Sequence, residues 1–267
     1  MRQFDFGENW SEFSANALTV EKVSQAREEF ASLVRSGAVH IEGQSFLDIG
    51  FGQGLSVLSA AAAGAVAVGC DISPKCAEVL ERNSALFPEV AATRIPVVVG
   101  SILDPSTVDA LRRLAPDGTG YEIVHSWGVL HHTGRMWEAI DVATSLVRPG
   151  GALILALYNR HWSSPAWTVI KRIYVGVPAW LQKAIVVAMY PVILAAKWFV
   201  TGRNPRAMDR GMDFYYNVVD WVGGYPYEYA SIEEVTRYLV AKGFTLRSAT
   251  MAKVPTGCNE FAFTRAA

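Results

Sequence analysis

The sequence predicts an α/β fold built on a parallel sheet with helices on both faces. Three features carry the prediction: short apolar runs alternate with helical stretches over residues 46–158, glycines follow the first run at once, and glycine or proline marks the ends of helical stretches. At 267 residues the chain suits one large domain, or a domain with an insertion, better than two full domains.

Phe46-Leu47-Asp48-Ile49 reads as the first strand, ending in glycines. Leu55 to Ala63 reads as a helix whose alanines allow close approach to the sheet, and Gly64 stops it. Val66 to Cys70 is the second strand. Ser73-Pro74 opens the next helix with a capping hydroxyl and a proline in the first turn, and Pro88 follows its end. Val97-Val98-Val99, Ile123-Val124-His125-Ser126 and Ala152 to Tyr158 are the third, fourth and fifth strands, with a Pro149-Gly150-Gly151 turn leading into the fifth. Ser231 with Glu234 has the form of a capping box, Gly243 follows the helix it opens, and strands from about Thr245 and Glu260 complete the set. Residues 159–230 are too long for a connection and too rich in Trp, Tyr, Val and Ile for disorder, so they read as an insert. The expected parts are an N-terminal lid and helix over 1–45, a core over 46–158, the insert, and a C-terminal helix and strand pair over 231–267.

Charged residues make up 18% of the chain, below the roughly 25% usual for soluble domains, so some apolar surface is expected to meet a partner, a lipid or the chain itself. With 24 basic against 25 acidic residues there is no global field for a polyanion, which argues against nucleic acid as a partner. Cys70, Cys76 and Cys258 form neither a CxxC pair nor a disulfide framework, and no acidic cluster has metal-ligand spacing. No basic stretch followed by an apolar one opens the chain, so a cytoplasmic location is expected.

Asp48-Ile49-Gly50-Phe51-Gly52-Gln53-Gly54 falls between the first strand and its helix. Glycines there let the backbone turn sharply beside a ligand, although a plain tight turn would use them too. Asp71, at the end of the second strand, is placed for a bidentate contact with two ribose hydroxyls, or else is a turn or cap residue.

Together these residues resemble the class I S-adenosylmethionine-dependent methyltransferases, whose spacing is DxGxGxG and whose fifth strand follows a Pro-Gly-Gly turn. The resemblance covers about residues 46–158 and the last two strands. It implies a doubly wound, Rossmann-like seven-stranded sheet of order 3-2-1-4-5-7-6, with a helical insert after strand five and S-adenosyl-L-methionine as cofactor. Asp48 and Gly50, Phe51, Gly52 and Gly54 would line the methionine moiety, Asp71 would hold the ribose, Ile72 would pack on the adenine, and Ser101 and Ile102 would flank its edge. Many members carry Asp where this chain has Ser101.

Gly128-Val129-Leu130-His131-His132-Thr133 is similar to a stretch of small-molecule methyltransferases such as the quinol and sugar O-methyltransferases. In that fold it faces the sulfonium. A histidine with an ordinary pKa of roughly 6.5 can take a proton from a hydroxyl or ammonium, which makes His132, and after it His131, the candidate bases. One of the pair is expected to be structural. Phe51, Trp10 and Tyr158 are candidates to face the cation, and Trp127, Tyr158 and Asn159 to contact the acceptor. The aromatic opening Phe4 to Trp10 fits a lid over the cofactor or a strap on the outside of the sheet. That opening, the histidine element, Asp220 to Glu228 and Cys258 to Phe261 are similar to one group within the broad family.

Ala184 to Ala196 carries no formal charge and lies between Lys183 and Lys197. As a helix it is about 20 Å long, short of the roughly 30 Å of a hydrocarbon core, and Pro191 is expected to interrupt it. With Arg203, Arg206 and Arg210 following, residues 160–210 suit a substrate lid, a homodimer contact or a peripheral membrane surface. The expected activity is methyl transfer to a hydroxyl or amine of a small molecule, with an apolar one among the candidates. An NAD-dependent oxidoreductase on a similar sheet, and a catalytically silent cofactor-binding module that recruits a partner or membrane, are the competing readings.

Overall fold

The computed structural model describes residues 3–90, 94–206 and 212–267; Arg210, expected in the basic stretch, lies outside them. Two helices, α1 (Phe6–Asn16) and α2 (Val20–Ser36), precede the sheet. Then β1 (Ser45–Ile49), α3 (Leu55–Ala62), β2 (Val66–Asp71), α4 (Pro74–Ser84), β3 (Val97–Val99), α5 (Pro105–Leu114), β4 (Tyr121–Trp127), α6 (Met136–Ser145) and β5 (Val147–Tyr158) alternate. The insert holds α7 (Ser164–Gly176), α8 (Ala179–Thr201) and α9 (Phe214–Gly223), and α10 (Ile232–Val240), β6 (Phe244–Thr250) and β7 (Cys258–Arg265) close the chain.

The strands form one sheet of order β3-β2-β1-β4-β5-β7-β6, the order expected. β3, β2, β1, β4 and β5 are parallel, and β7 runs antiparallel between β5 and β6. Successive side chains of a strand point to opposite faces, so β1 divides between two cores. Leu47 and Ile49 join Leu111, Ile140 and Leu239 on one side; Phe46 joins Phe30, Leu58 and Leu80 on the other. Asp48 shares the face of Phe46, and the parallel register sets it beside His125 of β4. A polar pair is thereby built into an apolar layer at the carboxyl end of the sheet.

Local signals set most boundaries. The capping box forms as expected, with the Ser231 hydroxyl accepting from the Glu234 N–H and Glu234 returning the bond. Three expectations need correction. Pro74 does open α4, but the Ser73 hydroxyl makes no capping bond, and the Ser73 N–H donates to Asp71 instead. Pro149-Gly150-Gly151 is not a turn before strand five: β5 pairs with β4 already at Val147, and the three residues form a bulge within the strand. Nor does Pro191 interrupt the apolar helix, because α8 runs through it for 23 residues. Apolar positions on either side of the charge-free run extend the helix, and packing on α9 holds it together.

Gly54 ends the loop after β1 with a φ of +82°, and a Cβ there would lie 2.5 Å from Leu80 of α4. Left-handed strain of about 1–2 kcal/mol adds to overpacking of about 1–3 kcal/mol. Gly54→Ala is therefore expected to lose about 2–5 kcal/mol in urea unfolding. A loss of only a few tenths would show that the loop rearranges freely.

Candidate active site

Parallel strands deliver their following loops to one edge of the sheet, and a cleft of about 1460 Å³ opens there. Its floor is Gly50 to Gln53 and the end of β2, whereas Gly54, expected to line the methionine moiety, does not border the cleft and faces Leu80 of α4. Asp71, buried at that end, accepts from the Gly52 N–H at 3.0 Å with one oxygen and from the Ser73 N–H at 2.9 Å with the other. Burial raises its carboxyl pKa, and the two N–H bonds oppose the rise. The Cys76 thiol also bonds to the carboxylate, which keeps lone-pair capacity for a ligand at the cleft. Asp71 thus both joins the two loops and presents acceptors to the cleft.

Asp48 Oδ1 lies 2.7 Å from His125 Nδ1, a contact that requires the proton on that nitrogen. His125 is itself fixed between Phe46 and Phe30. The other carboxylate oxygen, Oδ2, is buried with no partner among the described residues, although Asp48 borders the cleft. A buried carboxylate oxygen left open is costly unless something donates to it, so this atom marks where a cationic or N–H group fits.

Beyond β4, a short turn of 3-10 helix over Leu130–His132 carries the two histidines into the cleft wall. They hold opposite tautomers. His132 Nδ1 donates to the Pro226 carbonyl at 2.6 Å, which leaves the lone pair on Nε2. His131 Nδ1 accepts from the Tyr158 N–H at 3.3 Å, so its proton is on Nε2, a buried atom with no partner among the described residues. Burial, with the Lys171 charge adding, lowers His132 to about 3. Burial, with His132 and the Lys171 charge beside it, likewise pushes His131 well below its ordinary value. Both rings are neutral near pH 7.

α1 packs at the edge of the cleft. Trp10 lies over the glycine loop, where a Cβ on Gly52 would meet its indole at 3.0 Å, and Phe6 packs on the His132 ring with centroids 4.6 Å apart. From the far side the insert contributes Asp220 of α9, whose Oδ1 accepts from Asn9 of α1 at 2.6 Å. Burial raises the Asp220 carboxyl to about 7, against the pull of Lys171 and Asn9. Lys171 of α7 is wholly buried; burial lowers it to about 7, and its ammonium donates to the Trp221 carbonyl at 2.5 Å and lies over the Tyr227 ring. Sequence reasoning quoted Asp220 only as part of a motif and missed Lys171. A lone acid on an aromatic helix has no spacing to mark it, and Lys171, followed directly by Arg172, reads as an ordinary surface base.

The other expected residues divide. Ile72, 58% exposed, and Ser101 border the cleft beside Asp71, and the Ser101 hydroxyl accepts from the Leu103 N–H. Ile102 is buried at the same wall. Trp127 borders the cleft with its indole N–H donating to Glu260 at 2.8 Å, and Tyr158 packs on His131. Phe51 has its ring against Gly69 and joins the core beneath the loop. Asn159 is not among the residues bordering the cleft: its amide donates to the Pro255 carbonyl and accepts from Asn259, binding the end of β5 to the loop before β7.

A sheet of this order, with a glycine loop after its first strand and an acid ending its second, has the architecture of a class I methyltransferase. The family model for the methyltransferase domain matches residues 21–214, and the chain belongs to that family. Among curated proteins it is 26% identical over 137 residues to a ubiquinone biosynthesis O-methyltransferase of Paraburkholderia phytofirmans, covering 51% of this chain and 54% of that one. It is 28% identical over 148 residues to the mitochondrial enzyme of that name from Arabidopsis thaliana, covering 55% and 42%. The chain thus spans about half the length of these relatives. Magnesium protoporphyrin IX methyltransferase of Synechocystis PCC 6803, solved with bound SAH, shares the fold at a TM-score of 0.54 and 18% identity, over 91% of this chain and 83% of that one.

The raised Asp220 carboxyl gives a pH dependence. The folded protein keeps a proton that the unfolded chain releases near 3.8, so the group's contribution to stability is whole below that pH and is lost as pH rises through about 7. Relative to Asp220→Asn, the wild-type protein is expected to lose stability across that window and no further above it. Urea unfolding of both proteins at stepped pH measures the difference, and a gap that does not change with pH would refute the shift.

Proposed function

We propose that the protein is an S-adenosylmethionine-dependent methyltransferase that modifies a hydroxyl or amine of a small apolar molecule. The observation that carries this is the pairing of Asp71 with the glycine loop, next to the open oxygen of Asp48, in one cleft. The cofactor fits these residues. The free acceptors of Asp71 suit two ribose hydroxyls, the exposed Ile72 side chain offers a face for the adenine, and Asp48 Oδ2 suits the ammonium of the methionine part. SAH bound in the Synechocystis relative supports the same assignment. The cleft exceeds the roughly 300–1,000 Å³ typical of one small-ligand pocket, which leaves room for an acceptor beside the cofactor.

When bound, S-adenosylmethionine supplies a methyl group already activated on a sulfonium. The protein's share is to position, to exclude water and to accept a proton. Val129, Tyr158, Met212 and Trp221 border the acceptor side, and Trp10 and Phe6 cover it. His131 offers its Nε2–H to the acceptor's oxygen or nitrogen. His132 Nε2 is the proton acceptor on the strand-four element. A second reading gives that task to Asp220, because its carboxyl, raised to about 7, matches a base working at neutral pH better than an imidazole lowered to about 3.

Calorimetric titration with S-adenosylmethionine and S-adenosylhomocysteine, with a nicotinamide cofactor as control, tests the proposal. Binding of the adenosyl ligands alone is expected, weakened about 100-fold in Asp71→Ala with the circular dichroism unchanged. Silence with both ligands from folded protein would overturn it. With an acceptor in hand, the pH dependence of kcat separates the two bases. An ascending limb near pH 7 that Asp220→Asn removes assigns the proton to Asp220. A flat profile, with a loss of about 100-fold or more in His132→Gln, assigns it to His132.

A further inference from the structure

We propose that the outer face of α7 and α8 docks on an anionic lipid surface, and that the methyl acceptor enters the cleft from that surface. The docking stands on its own; the entry of the acceptor rests on the methyltransferase reading.

α8 is apolar on both sides, whereas an ordinary surface helix turns one apolar stripe inward and a polar face to water. Trp180, Ala184, Val187, Val192, Ala196 and Phe199 face solvent, whereas Gln182 and Lys197 turn toward the protein and hydrogen-bond within it. Phe199 is 96% exposed and Trp180 71%. Trp162, 86% exposed, and Val169 and Ile173 of α7 are further exposed apolar side chains of the insert. Apolar surface this continuous marks an interaction face.

Charge decides what covers it. The chain as a whole is balanced, yet residues 159–208 hold seven Lys or Arg and no Asp or Glu. Of these, Arg172, Lys183, Arg203 and Arg206 are exposed. A second copy docked face to face would set cations against the same cations with no acid to pair them. Anionic headgroups complement the patch, tryptophans favour the headgroup level, and long basic side chains extend to it from an apolar face.

α8 lies on that surface and does not cross it. Its 23 residues, about 34 Å, could span a hydrocarbon core of roughly 30 Å. Val186 and Ile193, however, are buried in a cluster with Tyr174, Phe214, Val218 and Val222, which holds the helix along the rest of the insert. The last turn of α8, at Val200 and Thr201, borders the cleft together with Arg203 and Arg206. The proposed docking face therefore runs directly into the mouth of the site, and an apolar acceptor dissolved in the bilayer meets the cleft there.

Flotation of the full chain with vesicles of phosphatidylcholine alone, and of phosphatidylcholine with phosphatidylglycerol, tests this. Retention on the anionic vesicles, released by raised salt, is expected. Trp180→Ser with Phe199→Ser is expected to lower the bound fraction about tenfold and to leave the affinity for S-adenosylhomocysteine unchanged, since neither residue borders the cleft. No retention on either vesicle would overturn the proposal, as would equal retention of the double variant. A self-associated species in sedimentation velocity that the double variant dissolves would assign the face to a second copy and also overturn it. Vesicle binding without adenosyl-ligand binding would sink the methyltransferase reading, and with it the acceptor route, while upholding the docking.

Discussion

Asp71 holds the floor of the cleft together. Two loops from neighbouring strands meet there, and their N–H groups at Gly52 and Ser73 converge on one buried carboxylate. A neutral side chain could not satisfy both donors with the same geometry. The burial that makes the carboxylate costly is offset by the bonds that fix it, so the ligand-facing lone pairs are presented at a set position. Asp48 obeys the same logic one strand away, with His125 holding one oxygen and leaving the other open.

The sheet alone leaves this edge open to solvent, and what closes it comes from distant parts of the chain. α1 precedes the first strand, and α9 lies between β5 and β6. They meet through Asn9 and Asp220, with Phe6 covering His132 between them. This closure removes water from the histidines, Lys171 and Asp220, and loss of water is the largest cause of each shifted proton affinity there. The chemistry available in the cleft therefore depends on elements that belong to neither strand four nor strand five.

The insert serves the molecule in two directions. Its inner residues, Val186, Ile193, Val218 and Val222, form a small core of their own and bring Asp220 to the cleft. Its outer residues have the opposite character to what water favours. A helix that is apolar on its solvent side as well as its protein side is not explained by folding of this chain alone, because exposed Trp180 and Phe199 add nothing to the core.

Much of the fold was legible because its signals are local. Glycines after Ile49, the Ser231–Glu234 box and the apolar runs of the strands depend on neighbours a few residues away, and the strand order followed from a family resemblance that those motifs carried. Asp48, Asp71 and the two histidines were expected on such local grounds, the two acids near the ends of β1 and β2 and the histidines in a motif that follows β4. What only the tertiary structure decided is long-range. It set the tautomer of each histidine through Pro226 and Tyr158, turned Asn159 to a structural bond with Asn259, buried Lys171, and brought Asp220 across from α9. It also carried α8 through Pro191, because packing on α9 outweighs one missing backbone bond. The sequence determined which groups stand at the strand ends; solvent exclusion and partners far along the chain determined their proton affinities and the direction each one faces.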